Sequence, residues 1–333
     1  MSLGKKKIQM QGAAGITGTD HFTPFLYTGT GSSSSTSFTG VGFNPDMVWV
    51  KNRTSSGENH GIGDTVRGGG YLLYPNLTLA QATSAYITPS TDGFAINTGN
   101  NNVLNHNYVA WCWKAGGSAV SNTDGDITSN VSANSDAGFS VVKYTGVAGG
   151  VGSGGATEVG HGLSSAPELV IYKNFESEDD WYVLFKIGSQ YKAMYLNYSF
   201  AAFNQTNDFT ASTIQTYRET NDDIIAYCFH SVNGYQKIGT YEGTNSGGNS
   251  ITGLGFSPRF VAIKNIDATG NWIAHSKPPT TTNPSTGHLR FNSNAATDTG
   301  TGERINFDSD GFTLNSTSQN VNTNHTYLYW AIA

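Results

Sequence analysis

The stretch GFNPDMVWVKNR at residues 42–53 returns as SSAPELVIYKNF at 164–175 and again as GFSPRFVAIKNI at 255–266. Pro45, Pro167 and Pro258 align. Each is followed by a short apolar run ending in the same pair, Lys51-Asn52, Lys173-Asn174 or Lys264-Asn265. A second block lies upstream, YTG at 27–29, YTG at 144–146 and YEG at 241–243. A third lies downstream, YVAWCW at 108–113, IIAYCF at 224–229 and YLYWAI at 327–332. Weaker echoes fall between them: LLYPN at 72–76, MYLN at 194–197 and LRFN at 289–292. DGFAIN at 92–97 matches DGFTLN at 310–315 and has no counterpart in the second copy. Blocks recurring in one order read as three diverged copies of one unit, each too long for a solenoid repeat.

Each copy reads as strands. MVWVKN, LVIYKN and FVAIKN are short, β-branched and aromatic, and a Pro-containing turn precedes each. In the terminal block small residues alternate with large ones: Ala110 and Cys112 with Trp111 and Trp113, then Ala226 and Cys228 with Tyr227 and Phe229. The third copy sets Tyr329 and Ala331 against Trp330 and Ile332. Period two with a small face and an aromatic face predicts a central strand packed on both sides. Only LTLAQATSA (77–85) has helical character, for one or two turns. The expected fold is all-β: three tandem, diverged, jelly-roll-like β-sandwich repeats behind an extended N-terminal leader. The expected boundaries are a leader at 1–25, repeats at 26–116, 138–233 and 234–333, and a Gly/Ser-rich linker at 117–137. The repeats are expected as separate compact beads in a row.

Composition narrows the function classes. Gly accounts for 41 of the 333 residues, and charged residues make up only 13%. Aromatics at 12% separate the chain from disordered sequences of similar polarity. A formal net charge of −6 argues against nucleic-acid binding through counterion release. Two cysteines exclude a disulfide scaffold and a four-cysteine zinc site. Apolar runs such as 108–113 are far shorter than a membrane helix requires. The basic cluster Lys5, Lys6 and Lys7 lacks the apolar segment of a signal peptide, so synthesis and assembly in a cytoplasm are expected.

The chemical motifs are weak. Gly150, Gly152 and Gly155 fit G-x-G-x-x-G, but the following residues do not open a helix, so no nucleotide is expected. Asn306, Asp308, Asp310 and Gly311 imitate the start of a calcium loop, yet Thr317 stands where a bidentate Glu is needed. Neither a metal nor any other cofactor is therefore expected. Acidic residues at 178–180 and 222–223 read as polar turns, and no catalytic pair emerges; the protein is expected not to be an enzyme. The most persistent polar feature is the Lys-Asn pair. It reads either as a strand end opening a turn or as a glycan or receptor contact repeated in each copy. Trp181 and Trp272, which follow their lysines at equal spacing, read either as core or as rings that stack on sugars. The candidate contact set is thus Lys51, Asn52, Lys173, Asn174, Trp181, Lys264, Asn265 and Trp272.

The combined pattern, with the opening GKKKIQMQGAAG and with GDTVRG at 63–68, resembles repeat domains of tail-fibre and appendage proteins of tailed bacteriophages, especially marine ones. The resemblance implies a virion structural protein, an external fibre or adhesin for host attachment, assembled in the host cytoplasm. Head decoration or an adaptor role, and a polysaccharide depolymerase, are the alternatives. The implied partners are other virion proteins reached through the leader, host-surface glycan or protein, and further copies of the chain as a homo-oligomer. Neither nucleic acid nor membrane insertion is implied. The family carries no assigned catalytic or binding residues onto this chain.

Overall fold

The computed structural model describes residues 18–32, 34–83, 86–97, 99–146, 157–206, 208–217, 221–278 and 282–333. The chain is all-β, and the helical content of the described residues is one 3-10 turn, Gly18–Asp20. A first set of strands comprises β1 (Phe22–Thr28), β2 (Thr36–Thr39), β3 (Met47–Asn52), β4 (Gly61–Asp64), β5 (Ile87–Ser90), β6 (Gly93–Ile96) and β7 (Asn107–Trp113). A second set comprises β8 (Val120–Asn122), β9 (Ser129–Asn134), β10 (Phe139–Thr145), β11 (Glu158–Gly160), β12 (Leu169–Asn174), β13 (Tyr182–Ile187), β14 (Gln190–Tyr195), β15 (Phe203–Gln205), β16 (Thr213–Gln215) and β17 (Asp223–Phe229). A third comprises β18 (Gln236–Glu242), β19 (Asn249–Thr252), β20 (Phe260–Asn265), β21 (Ile273–Ser276), β22 (Leu289–Arg290), β23 (Ile305–Asp308), β24 (Gly311–Leu314) and β25 (Thr326–Ile332). These sets are called units one, two and three below.

Each unit contains the same four-strand order, β1-β7-β3-β4, β10-β17-β12-β13 and β18-β25-β20-β21. The register is also the same. Lys51, Lys173 and Lys264 lie opposite Val109, Ile225 and Leu328, all in antiparallel pairs. The terminal strand is central in every unit, as its alternation predicts. A smaller sheet faces each large one: β2-β6-β5, β11-β16 and β19-β24-β23. The second unit has one strand fewer there, where the DGF block is missing from its sequence.

The conserved blocks acquire local roles. Tyr27 stacks on Tyr108 with ring centroids 4.8 Å apart, and Tyr241 on Tyr327 at 5.1 Å. Asp310 accepts the amides of Gly253 and Gly255, and Asp92 those of Gly40 and Gly42, so each Asp of the DGF turn anchors the loop entering the Pro block. The glycine after each Asp is sterically required: a Cβ on Gly93 would lie 1.9 Å from the Phe38 carbonyl, and one on Gly311 1.9 Å from that of Ile251. The acidic residues at 308–310 are thus a turn and a loop clamp.

Three expectations are corrected. Residues 117–137 are not a linker: they contain β8 and β9, which extend the large sheet of unit two to eight strands. Residues 77–83 form no helix. Leu72 bridges to Ala82 instead, because tertiary pairing outcompetes a short helical preference. The leader ends earlier than residue 25, since Phe22 is fully buried and starts β1. Residues 1–17 and the G-x-G-x-x-G segment at 150–155 lie outside the described residues.

The arrangement as beads in a row is also overturned. The small-residue face of each large sheet packs on its own small sheet: Ala110 and Cys112 in unit one, Ala226 and Cys228 in unit two, Ala331 in unit three. The aromatic faces pack on one another. Trp49, Trp111, Trp113, Tyr227, Phe229, Phe260, Trp272 and Trp330 belong to one cluster drawn from all three units. Trp113 stacks on Trp330 at 5.6 Å, and Phe229 lies 4.4 Å from Trp330. A row of beads would leave these faces in water, at roughly 25 cal/mol for each Å² of apolar surface.

Candidate functional site

The eight residues singled out in the sequence are all buried. They line no surface open to a ligand, and the structure places them at the seams between units. Each lysine sits on the aromatic face of its sheet, at the strand end, where its ammonium reaches backbone carbonyls of a neighbouring unit. Lys51 Nζ donates to Glu58 O at 2.9 Å and to Asn294 O of unit three at 3.2 Å. Lys173 donates to Asp179 O at 2.7 Å and to Thr78 O of unit one at 2.9 Å. Lys264 donates to Asn265 O at 2.6 Å and to Phe200 O of unit two at 2.9 Å. Backbone bonds reinforce each contact: Gly57 to Asn294, Asp179 to Thr78 and Gly270 to Ser199. Unit one holds unit three, unit two holds unit one, and unit three holds unit two. The contacts are head-to-tail and close into a ring.

The tryptophans follow the same rule. Trp181 Nε1 donates to Tyr74 O of unit one at 3.0 Å, and Trp272 Nε1 to Tyr195 O of unit two at 3.1 Å. In unit one His60 takes this place. Its Nδ1 accepts from Trp49 Nε1 at 2.9 Å, which leaves Nε2–H to donate to Arg290 O of unit three at 3.0 Å. Burial pushes the His60 pKa down to about 3, so the ring is neutral. The acceptors Tyr74, Tyr195 and Arg290 are the matching positions of the LLYPN, MYLN and LRFN echoes. Asn76, Asn197 and Asn292 of those echoes accept the backbone amides of His60, Trp181 and Trp272. The asparagines of the Lys-Asn pairs do what a turn-opening Asn does. Asn52, Asn174 and Asn265 each accept two amides from the residues that follow.

Burial lowers the pKa of Lys51 to about 8, against an opposing pull from Glu58, and that of Lys264 to about 7. The GDTVRG motif closes another seam. Arg67 Nε bonds Asp64 Oδ2 at 2.6 Å with both side chains buried, and Tyr227 Oη of unit two donates to the same oxygen at 2.8 Å. Cys112 and Cys228 are buried and unpaired, each in its own unit's sandwich core.

One surface cleft was missed by the sequence reading. It is a polar cleft of about 510 Å³ beside the β13–β14 hairpin and β15 of unit two, lined among others by Lys186, Gln190, Tyr191, Asn204, Gln205 and Asp208. Tyr191 Oη donates to Asp208 at 2.7 Å, and Lys186 Nζ lies 5.3 Å from the tyrosine ring centre. The cleft thus presents hydrogen-bonding amides, one cation and one carboxylate around a fixed aromatic. Its residues belong to no repeated block, so the threefold pattern that made the seams legible hid it.

No curated protein and no solved structure matches the chain. One family model does, over residues 17–333, and so takes in all three units as a single stretch. The chain belongs to that family, described as a domain of unknown function, DUF7483.

Proposed function

We propose that this protein is a structural component of a tailed-bacteriophage virion, a tail-fibre or receptor-binding appendage that attaches to the host and performs no catalysis. The observation that carries this reading is the cleft of unit two, a polar, open site on a rigid scaffold. Its amides, Lys186 and Asp208 offer the hydrogen bonds that sugar hydroxyls require, and binding loops held by a rigid frame are a common division of labour. The low-charge, Gly-, Asn- and Tyr-rich composition agrees with an extracellular particle surface.

The three units are, in this reading, diverged copies of one jelly-roll-like sandwich, supported by shared strand order, register and seam chemistry. The leader ahead of β1, with Lys5, Lys6 and Lys7, serves as the handle toward other virion proteins, and several chains assemble as a homo-oligomer. Host glycan is the ligand class proposed for the cleft. Immunogold labelling of intact particles tests the assignment. Label at the tail tip supports it, whereas label on the head assigns the chain to decoration. Binding of the purified protein to host envelope glycan should be lost in Tyr191→Ala, and release of reducing ends from that glycan would identify a depolymerase instead.

A further inference from the structure

The loop between β22 and β23 closes the ring, because it carries the contacts of unit three to unit one. Asn294 O accepts from Lys51 and from Gly57, and the Thr297 amide donates to Arg53 O at 3.1 Å. Within unit three the loop is tied by a bridge between His288 and Asp298. At that tie His288 Nε2 faces two carboxylates, Asp298 Oδ2 at 3.7 Å and Glu303 Oε2 at 3.5 Å. The His288 side chain is 1% exposed and its Nε2 has no hydrogen-bond partner. One ligand atom from each of the three residues lies within 4.8 Å of the others.

We propose that His288, Asp298 and Glu303 form a binding site for one divalent first-row transition cation, which fastens the ring-closing loop. The spacing carries the argument. At 3.5–3.7 Å the nitrogen is too far from either oxygen for a good hydrogen bond. An ion with bonds of about 2.1 Å in tetrahedral geometry sets its ligand atoms about 3.4 Å apart, close to these separations. Both carboxylates are also held by neighbouring donors. Arg290 Nη2 holds Asp298 Oδ2 at 2.7 Å, and the Gly300 amide holds Oδ1 at 2.8 Å. Ser318 Oγ and Asn320 Nδ2 hold Glu303 Oε1 at 2.9 and 2.8 Å. Two carboxylates against one guanidinium leave a net negative site. An imidazole nitrogen with two carboxylate oxygens favours Zn²⁺ or Mn²⁺ over Mg²⁺. Sequence reading passed over the site because positions 288, 298 and 303 match no ligand-spacing motif.

The test uses the full chain without an affinity tag, stripped with a chelator and titrated calorimetrically with Zn²⁺. The expected result is one ion per chain, binding weakened at least tenfold in His288→Ala and in Glu303→Gln, and Mg²⁺ binding far weaker. The near-isosteric Glu303→Gln keeps the test valid if His288→Ala fails to fold. Zn²⁺ should also slow hydrogen exchange at the amides of Gly57 and Thr297, on the seam. Absence of Zn²⁺ binding to the wild type, unchanged binding in Glu303→Gln, or equal affinity for Mg²⁺ would overturn the proposal.

Discussion

Replacing Lys264 by Met tests the ring seam and its electrostatics together. The methionine retains an apolar stem of similar length and deletes the ammonium that donates to Asn265 O, Phe200 O and, at 3.4 Å, Ser199 O. Ser199 O keeps the Gly270 amide. Leaving buried carbonyls without a donor costs about 1–3 kcal/mol. The pH dependence is more diagnostic than the mean. Lys264 titrates near 7 in the fold and near 10.4 in the unfolded chain. Between these values the unfolded state binds the extra proton, so the wild type gains stability as pH rises, at up to about 1.4 kcal/mol per pH unit. Below pH 7 both states are protonated, and the fold must carry a desolvated charge. Lys51, near 8, contributes to both proteins and cancels in their difference. Urea unfolding at pH 6, 7.5 and 9 should show the wild type's advantage over Lys264→Met growing by roughly 2–3 kcal/mol across that range. A difference independent of pH would refute the desolvated lysine, and a variant as stable as wild type at pH 9 would refute the seam.

Ala226→Leu should overfill the sandwich core of unit two, where the position is fully buried beside Cys228 and Ile224, and lower stability by about 1–3 kcal/mol in thermal unfolding. Gly311→Ala should lose more than Gly302→Ala, because a Cβ at 311 meets the Ile251 carbonyl while one at 302 meets nothing within 4 Å; equal melting temperatures would contradict the turn geometry. Trp181→Phe removes the indole donor to Tyr74 O and should cost about 1 kcal/mol beyond its packing loss, measured against Trp111→Phe, whose Nε1 has no partner.

Much of the fold was legible because its signals are local and repeated. The alternation of YVAWCW with its two relatives located the central strands, and the DGF block missing from copy two is matched in the fold by the thinner small sheet of unit two. The packing of units was less legible. MVWVKN, LVIYKN and FVAIKN are buried along their whole length, on both faces. In an antiparallel sheet, where one face commonly meets water, that is the signature of a second covering layer. The sequence alone does not say whether that layer is the unit's own sheet or a neighbouring unit. The Lys-Asn and Trp positions were visible as important and open as to role, since a repeated polar residue serves a repeated ligand and a repeated seam equally well. Burial decides between them. The cleft around Tyr191 and the cluster at His288 were invisible for the opposite reason: each occurs once.

That contrast orders the molecule. Equivalent head-to-tail contacts can close only if each unit both grips and is gripped, so the residues making them are fixed in all three copies. Lys51, Lys173 and Lys264 recur for this reason, and His60 can replace a tryptophan only because its imidazole offers the same N–H to the same carbonyl. Within one chain the loops between the fixed blocks are free to differ, which a ring of three identical chains does not permit. The differences are concentrated where the ring does not need identity. Unit two alone extends its sheet to eight strands, and it builds the cleft at the β14–β15 edge of that sheet, opposite β8 and β9. Among the described residues, unit three alone gathers His288, Asp298 and Glu303 about the connection from β22 to β23, the segment that reaches unit one to complete the ring. Specific chemistry therefore belongs in the unrepeated segments, and the repeated ones supply the frame that holds them.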